Sequence, residues 1–244
     1  MKRYATILFA IIFLFACKKD NDNDNEQPDA SGFWIITENI TGNCDGDNYS
    51  DQETVIVKIE QSGTDLIYTT YPGGDVMEGT INGNTISMEG EFSNGISTSI
   101  ISFSGTIDNS AAVFNGTADW EEFSGDYSCS GTAVVSGEKA SDTDKDYSGI
   151  WMGNWVSEEY YLSGTFSVNV TQSGHTLSGT ISVPQISMSN AVLQGEVHGN
   201  IVYFGDIDGI IKFAGTIDNN TSSGTYTYPV YYDEGTWTAI RQVN

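Results

Sequence analysis

The two histidines of this 244-residue chain both fall in turn-like sequence. His175 lies in Ser173-Gly174-His175-Thr176, and His198 in Val197-His198-Gly199-Asn200. A catalytic base or metal ligand works with partners held on rigid elements, which turns do not supply. Paired carboxylates occur at Glu121-Glu122, Glu158-Glu159 and Asp233-Glu234. Glycoside hydrolysis uses two carboxylates facing each other across a cleft. Adjacent residues of a strand point to opposite faces, so none of these pairs forms such a dyad. Asp45, Asp47 and Asp51 share one loop, and Asp142, Asp144 and Asp146 alternate in another. Calcium takes several oxygens from one flexible loop, but neither stretch has the glycine and final glutamate of an EF-hand. We read both as solvated acid, with calcium at Asp45, Asp47 and Asp51 as the alternative. No Gly-x-Ser-x-Gly elbow, His-Glu-x-x-His helix or phosphate-binding glycine loop is present. The residues therefore point to a non-enzymatic protein.

Aromatic residues offer a different chemistry. Tyr226, Tyr228, Tyr231 and Tyr232 cluster near the C-terminus, and Tyr160 and Tyr161 follow the first apolar segment of the same half. Trp120 sits in a comparable segment of the first half. Rings on loops can stack on sugars or clasp an apolar molecule. The expected ligand is a small apolar molecule or a carbohydrate, and the tyrosine-rich second half is the expected site.

The N-terminus bears on location. Lys2 and Arg3 precede a run from Ala5 to Ala16 that is apolar except for Thr6. The run is too short to span a bilayer as a helix and has the form of a cleaved export signal. It ends in Leu14-Phe15-Ala16-Cys17, which resembles the lipobox of bacterial lipoproteins. The resemblance implies cleavage before Cys17, acylation of that cysteine, and anchoring in a lipid bilayer by two or three acyl chains. Residues 17–30 follow as an acidic tether, in which Lys18 to Pro28 lacks the apolar residues needed for a core. An acidic run after such a cysteine also resembles the surface-export signal of some Gram-negative lipoproteins. Display on the outer membrane, facing outward, is the expectation, with a solvated spacer on the periplasmic side as the alternative. Without residues 1–16 the chain keeps 7 basic and 33 acidic residues, a net charge of −26. Nucleic-acid phosphates would repel it.

What must position these residues is an internal duplication. Residues 31–137 and 147–244, joined by linker 138–146, carry the same landmarks in order. Ser31-Gly32-Phe33-Trp34 matches Ser148-Gly149-Ile150-Trp151, and Gln61-Ser62-Gly63 matches Gln172-Ser173-Gly174. Gly83-Asn84 matches Gly199-Asn200, and Gly105-Thr106-Ile107-Asp108-Asn109 matches Gly215-Thr216-Ile217-Asp218-Asn219. Gly116-Thr117 matches Gly224-Thr225, and Gly131-Thr132 matches Gly235-Thr236. Phe166, Val168 and Val170 alternate with polar residues, the period of a half-buried strand. Pro-Gly, Asn-Gly and Gly-Asn turns recur at short intervals. The chain is thus expected to be all-β: two tandem antiparallel up-and-down barrels of about eight strands each, since closure removes exposed edges. Val55, Val57, Ile59, Ile101 and Phe103 should point inward in the first barrel. Phe166, Val168, Val170, Ile211 and Phe213 should do so in the second.

Gly32-Phe33-Trp34 and Gly149-Ile150-Trp151 resemble the first-strand signature of lipocalin-like and avidin-like barrels. The resemblance implies that Trp34 and Trp151 plug the closed ends. It also implies that Arg241 packs on Trp151, with Gly137 at the aligned position of the first half. With Cys17 acylated, Cys44 and Cys129 remain as a pair, and oxidising compartments preserve disulfides. First and last strands are neighbours in such a barrel, so a Cys44–Cys129 bond would staple the seam. The alternative to a ligand-binding protein is a structural or adhesion lipoprotein whose filled barrels contact other envelope proteins.

Overall fold

A computed structural model describes residues 27–93, 97–125, 127–141, 145–158 and 160–242. The leader, Cys17 and the tether as far as Glu26 lie outside the described residues, as do Asp142, Asp144 and Glu159. The first barrel comprises β1 (Gly32–Cys44), β2 (Asp47–Ser62), β3 (Asp65–Tyr71), β4 (Val76–Asn82), β5 (Thr85–Ser93), β6 (Thr98–Ile107), β7 (Val113–Ser124) and β8 (Tyr127–Lys139). The second comprises β9 (Gly149–Ser157), β10 (Ser163–Ser173), β11 (Thr176–Val183), β12 (Met188–His198), β13 (Ile201–Asp206), β14 (Lys212–Asp218), β15 (Thr221–Tyr228) and β16 (Asp233–Arg241). Each set pairs in sequence order and closes on itself as an antiparallel barrel. The seams run from Trp34↔Lys139 to Cys44↔Cys129 in barrel 1, and from Trp151↔Arg241 to Ser157↔Gly235 in barrel 2.

The expected inward residues lie inside. Val57, Ile59 and Phe103 are buried in the first core, with Val55 and Ile101 partly buried against it. Phe166, Val168, Val170, Ile211 and Phe213 are buried in the second. The Gln-Ser-Gly turns take the positive φ that glycine tolerates: +64° at Gly63 and +59° at Gly174. The paired landmark glycines serve the interior. Gly105 lies opposite Gly116, and a Cβ on either would come within 2.6 Å of the Phe103 ring.

The other landmarks are tied together at the closed ends. The Trp34 indole N–H donates to the Ala30 carbonyl at 2.9 Å, and that of Trp151 to the Tyr147 carbonyl at 2.8 Å. Gln61 Oε1 accepts from Ala30 N at 2.7 Å, and Gln172 Oε1 from Tyr147 N at 2.6 Å. Ser31 and Ser148 hydroxyls accept from the backbone N–H of the same glutamines. Buried backbone groups need such partners, which accounts for both landmarks in both halves.

One landmark is out of register. The seams place Arg241 opposite Trp151 and Lys139 opposite Trp34. Lys139, not Gly137, is the first-barrel counterpart of Arg241, and Gly235 corresponds to Ala133 rather than Gly131. Lys139 Nζ lies 5.9 Å from the Trp34 ring centre and donates to the Asp29 carbonyl at 2.9 Å. Arg241 donates to Asp146 Oδ2 at 3.1 Å and to the Ser148 carbonyl. Both barrels therefore carry a cation at the closed end. The sequence match failed because Gly-Thr recurs in several strands, so one pair aligned two residues too early.

The barrels also touch. Phe33 and Ile56, on the outer faces of β1 and β2, are buried against Ile201 and Ala214 of the second barrel.

Candidate functional site

Cys44 and Cys129 face each other at the far end of the β1–β8 seam and are joined as a disulfide, with Cα atoms 4.1 Å apart. The bond sits away from the Trp34 floor, so it braces the open end of barrel 1.

The interiors differ. In barrel 2, Trp155, Phe166, Phe204, Tyr226 and Trp237 all point inward and are buried. The rings of Phe204 and Phe213 stack with centres 4.9 Å apart, and Trp237 stands edge-on to Phe213 at 5.9 Å. Trp155 stands edge-on to Tyr226 at 5.7 Å. The registers fix the first-barrel counterparts of these five rings. Trp34↔Val57 answers Trp151↔Val168, so Glu38 stands where Trp155 does and Val55 where Phe166 does. Ile86↔Gly105 answers Val202↔Gly215, so Met88 replaces Phe204. Gly116↔Val135 answers Gly224↔Trp237, so Ala118 replaces Tyr226 and Val135 replaces Trp237. One aromatic ring after another is absent.

The space they would fill is a cavity of about 600 Å³, and all five replacements line it. Its apolar wall includes Ile36, Met77, Met88 and Phe103. A second depression of about 440 Å³ shares Glu38, Glu53, Ile101 and Glu122, and reaches a lip formed by Tyr49, Trp120 and Tyr127. This size falls in the range of small-molecule sites.

The polar groups of the cavity are acids. Glu38 and Glu53 are directly opposite on β1 and β2. Burial, and then the Glu53 charge, pushes the Glu38 carboxyl above its usual range. Burial also raises Glu53, followed by the charges of Asp51 and Glu158. Tyr68, 3% exposed, lines the same space. Burial first, then the Glu38 charge, makes its phenol harder to ionise.

The tyrosines singled out in the sequence gather at the other barrel. Tyr226 is 1% exposed, and its hydroxyl donates to Asp233 Oδ2 at 2.9 Å, so it is a core residue of β15 and not a loop residue. Asp233 is itself buried and also accepts from Ser157 Oγ at 2.5 Å. Tyr160, Tyr161, Tyr231 and Tyr232 are exposed around the mouth of barrel 2, and Tyr228 is partly buried against its core. The Tyr160 hydroxyl donates to the Tyr231 carbonyl at 2.8 Å. Trp120 belongs to β7 rather than a loop; its side chain stands edge-on to Tyr49 at 6.1 Å. Glu234, next to Asp233 in sequence, lines the barrel 1 cavity from outside that barrel.

Asp45 is engaged by β8 across the seam, and Asp51 within its own hairpin. Asp45 Oδ1 accepts from Ser128 N at 3.3 Å, and Asp51 accepts from Gln52 N and the Tyr49 hydroxyl. Among the described residues no group of three or more His, Cys, Asp or Glu is arranged to hold a metal ion. His175 and His198 stack on each other at 4.4 Å, and His198 on Phe33 at 4.4 Å. Both histidines thus serve the junction between the barrels.

Sequence reasoning missed Glu38, Glu53 and Tyr68. The signal was present in the alternation. Trp34 and Ile36 fix the inward face of β1, and the same period reaches Glu38.

Fold and cavity define a tandem-barrel protein with one filled interior and one open, acid-rimmed interior. Comparison with known proteins gives no significant match to any protein-family model, curated protein or solved structure.

Proposed function

We propose that this protein is a lipid-anchored lipoprotein of the bacterial envelope whose first barrel binds a small ligand. The observation that carries the binding reading is the cavity of about 600 Å³ where barrel 2 has rings. Leu14-Phe15-Ala16-Cys17 behind a short basic and apolar leader supports the anchor. The acidic stretch after Cys17 supports outward display on the outer membrane. No residue set above supports a chemical step, so the reading is of binding alone. The lipocalin-like character rests on Gly-x-Trp at each first strand, on the tryptophan floors and on the cation beside each of them.

A second reading applies to barrel 2. Its interior is filled, while Tyr161 and Tyr232 are 93% and 75% exposed at its mouth. That combination favours contact through the surface, with a glycan or another envelope protein.

The test copies barrel 2 into barrel 1. The neutral fluorophore N-phenyl-1-naphthylamine is expected to brighten on binding wild-type protein. Ala118→Tyr with Val135→Trp is expected to abolish that signal while leaving the β-sheet circular dichroism intact. Equal binding by the filled variant, or none by the wild type, overturns the assignment.

A further inference from the structure

The lining of the cavity has a one-sided charge. Glu38, Glu53, Asp75, Glu122 and Glu234 border it, and among the described residues no lysine, arginine or histidine does. Glu38 and Glu53 are direct cross-strand neighbours, a placement that repels when both are charged. Neither of them, nor Glu122, has a hydrogen-bond donor or a cation at its side chain among the described residues. Elsewhere in the chain, inward or partly buried acids are satisfied: Asp233 by Ser157 and Tyr226, Asp206 by the backbone N–H of Ile211 and Asp208. Among the described residues Glu38, Glu53 and Glu122 are the exception.

A second feature is independent of the acids. Tyr68 is 3% exposed and lines the cavity, yet its hydroxyl makes no hydrogen bond among the described residues. The ring is buried while the hydroxyl is not among the enclosed atoms, so it opens onto the cavity, where water or a bound molecule can pair with it. A phenol can donate and accept, so it suits the polar end of a ligand.

We propose that barrel 1 binds an organic cation: a protonated amine on an apolar body, with the ammonium between Glu38 and Glu53 and the body against Met77, Met88 and Phe103. The proposal rests on the binding reading above and narrows it to one ligand class. An ammonium is a point charge with up to three donors, which two carboxylates and a phenol can accept. A bare divalent ion fits less well, because it takes six or more oxygens and gains nothing from an apolar wall. The like-charge pair explains selectivity as well. A neutral ligand leaves the carboxylates repelling each other, and an anion adds to the repulsion, whereas an ammonium relieves it. The raised carboxyls of Glu38 and Glu53 imply that the amine competes with protons, so binding weakens on acidification.

Isothermal titration of the full chain with three probes sharing one body tests this: 4-phenylbutylammonium, 4-phenylbutan-1-ol and 4-phenylbutyrate. The ammonium is expected to bind at least tenfold more tightly than the alcohol, and the carboxylate not measurably. Glu38→Gln with Glu53→Gln is expected to remove that tenfold advantage, so that ammonium and alcohol bind alike, with the thermal midpoint preserved or raised. An alcohol that binds as tightly as the ammonium overturns the cation assignment while sparing the binding reading. Failure of all three probes and of N-phenyl-1-naphthylamine overturns both. Calcium chloride that saturates the site and displaces the ammonium at equal concentration overturns it in favour of a metal ion.

Discussion

Glu38 and Trp155 stand at the same place in their barrels, each four residues after the floor tryptophan and on the inward face of the first strand. In barrel 2 the indole packs on Tyr226. In barrel 1 the carboxylate faces open space and a second carboxylate. A folding core gains from the first arrangement and loses from the second. Glu38 therefore weakens the barrel that carries it.

We expect Glu38→Gln to stabilise the ligand-free protein at pH 7. The folded carboxyl is raised above its ordinary value of 4.5, by burial and then by Glu53. The native state thus holds its proton more tightly than the unfolded chain, and stability falls as pH rises through the window from 4.5 up to the raised value. Above that window the full penalty is present, and at acid pH it is gone. Relief of a direct like-charge pair is worth about 0.5–1 kcal/mol, a few degrees in thermal midpoint for a barrel of this size. Calorimetry of both proteins from pH 4 to pH 8 checks it. A constant difference across that range would sink the assignment to Glu38.

The contrast between the barrels was partly legible in the sequence. Alternation, turn glycines and the repeated Ser-Gly-x-Trp pointed to two closed meanders, because inward residues recur at period two. The open barrel was not identified, because the exposed tyrosines at 160, 161, 231 and 232 mark the mouth of the filled one. Ring count says little about cavities: Tyr226 and Trp237 are rings that fill one. What decides is the size of the aligned inward residue, which requires register. The shifted Gly131-Thr132 match shows how a two-residue slip hides it. That slip would pair Trp237 with Ala133 instead of Val135 and remove the cation from the first floor.

Hollowing barrel 2 should be costly. Trp237 is 1% exposed, touches Phe166, Phe204 and Phe213, and donates to the carbonyls of Ala214 and Thr225 at 3.1 and 2.9 Å. Trp237→Val installs the residue that barrel 1 tolerates at this position, but without the compensating neighbours. We expect a loss of about 3–5 kcal/mol, read as a lowered urea midpoint for the second barrel. A loss below about 1 kcal/mol would mean that the interior collapses freely and that the aromatic filling has little role in stability.

The disulfide should matter most to the open barrel. Cys44 and Cys129 are 85 residues apart, so the bond removes a long loop's entropy from the unfolded chain. The loop-entropy relation gives about 4.5 kcal/mol for a closure of that length. Cys44→Ala with Cys129→Ala should lower the barrel 1 unfolding midpoint accordingly and loosen the lip near Trp120. Ellman titration provides a direct check: no free thiol is expected at either position in oxidised wild-type protein. Two reactive thiols there would remove the staple from the account.

The barrel junction predicts cooperativity. Phe33 lies on the outer face of β1, 5% exposed, with His198 stacked at 4.4 Å and Tyr71 at 5.6 Å. Ile56, Ile201 and Ala214 complete a small core shared by both barrels. An outward-facing apolar residue on a lone barrel would be exposed, so its burial depends on the neighbour being folded. Phe33→Ala should therefore cost about 3 kcal/mol and do so at the coupling between units rather than within either. The expected signature is the splitting of a single unfolding transition into two, with Trp237 fluorescence and the barrel 1 probe signal reporting different midpoints. Barrels that already unfold at separate midpoints in the wild type, with neither moved by Phe33→Ala, would show that the contact carries no coupling.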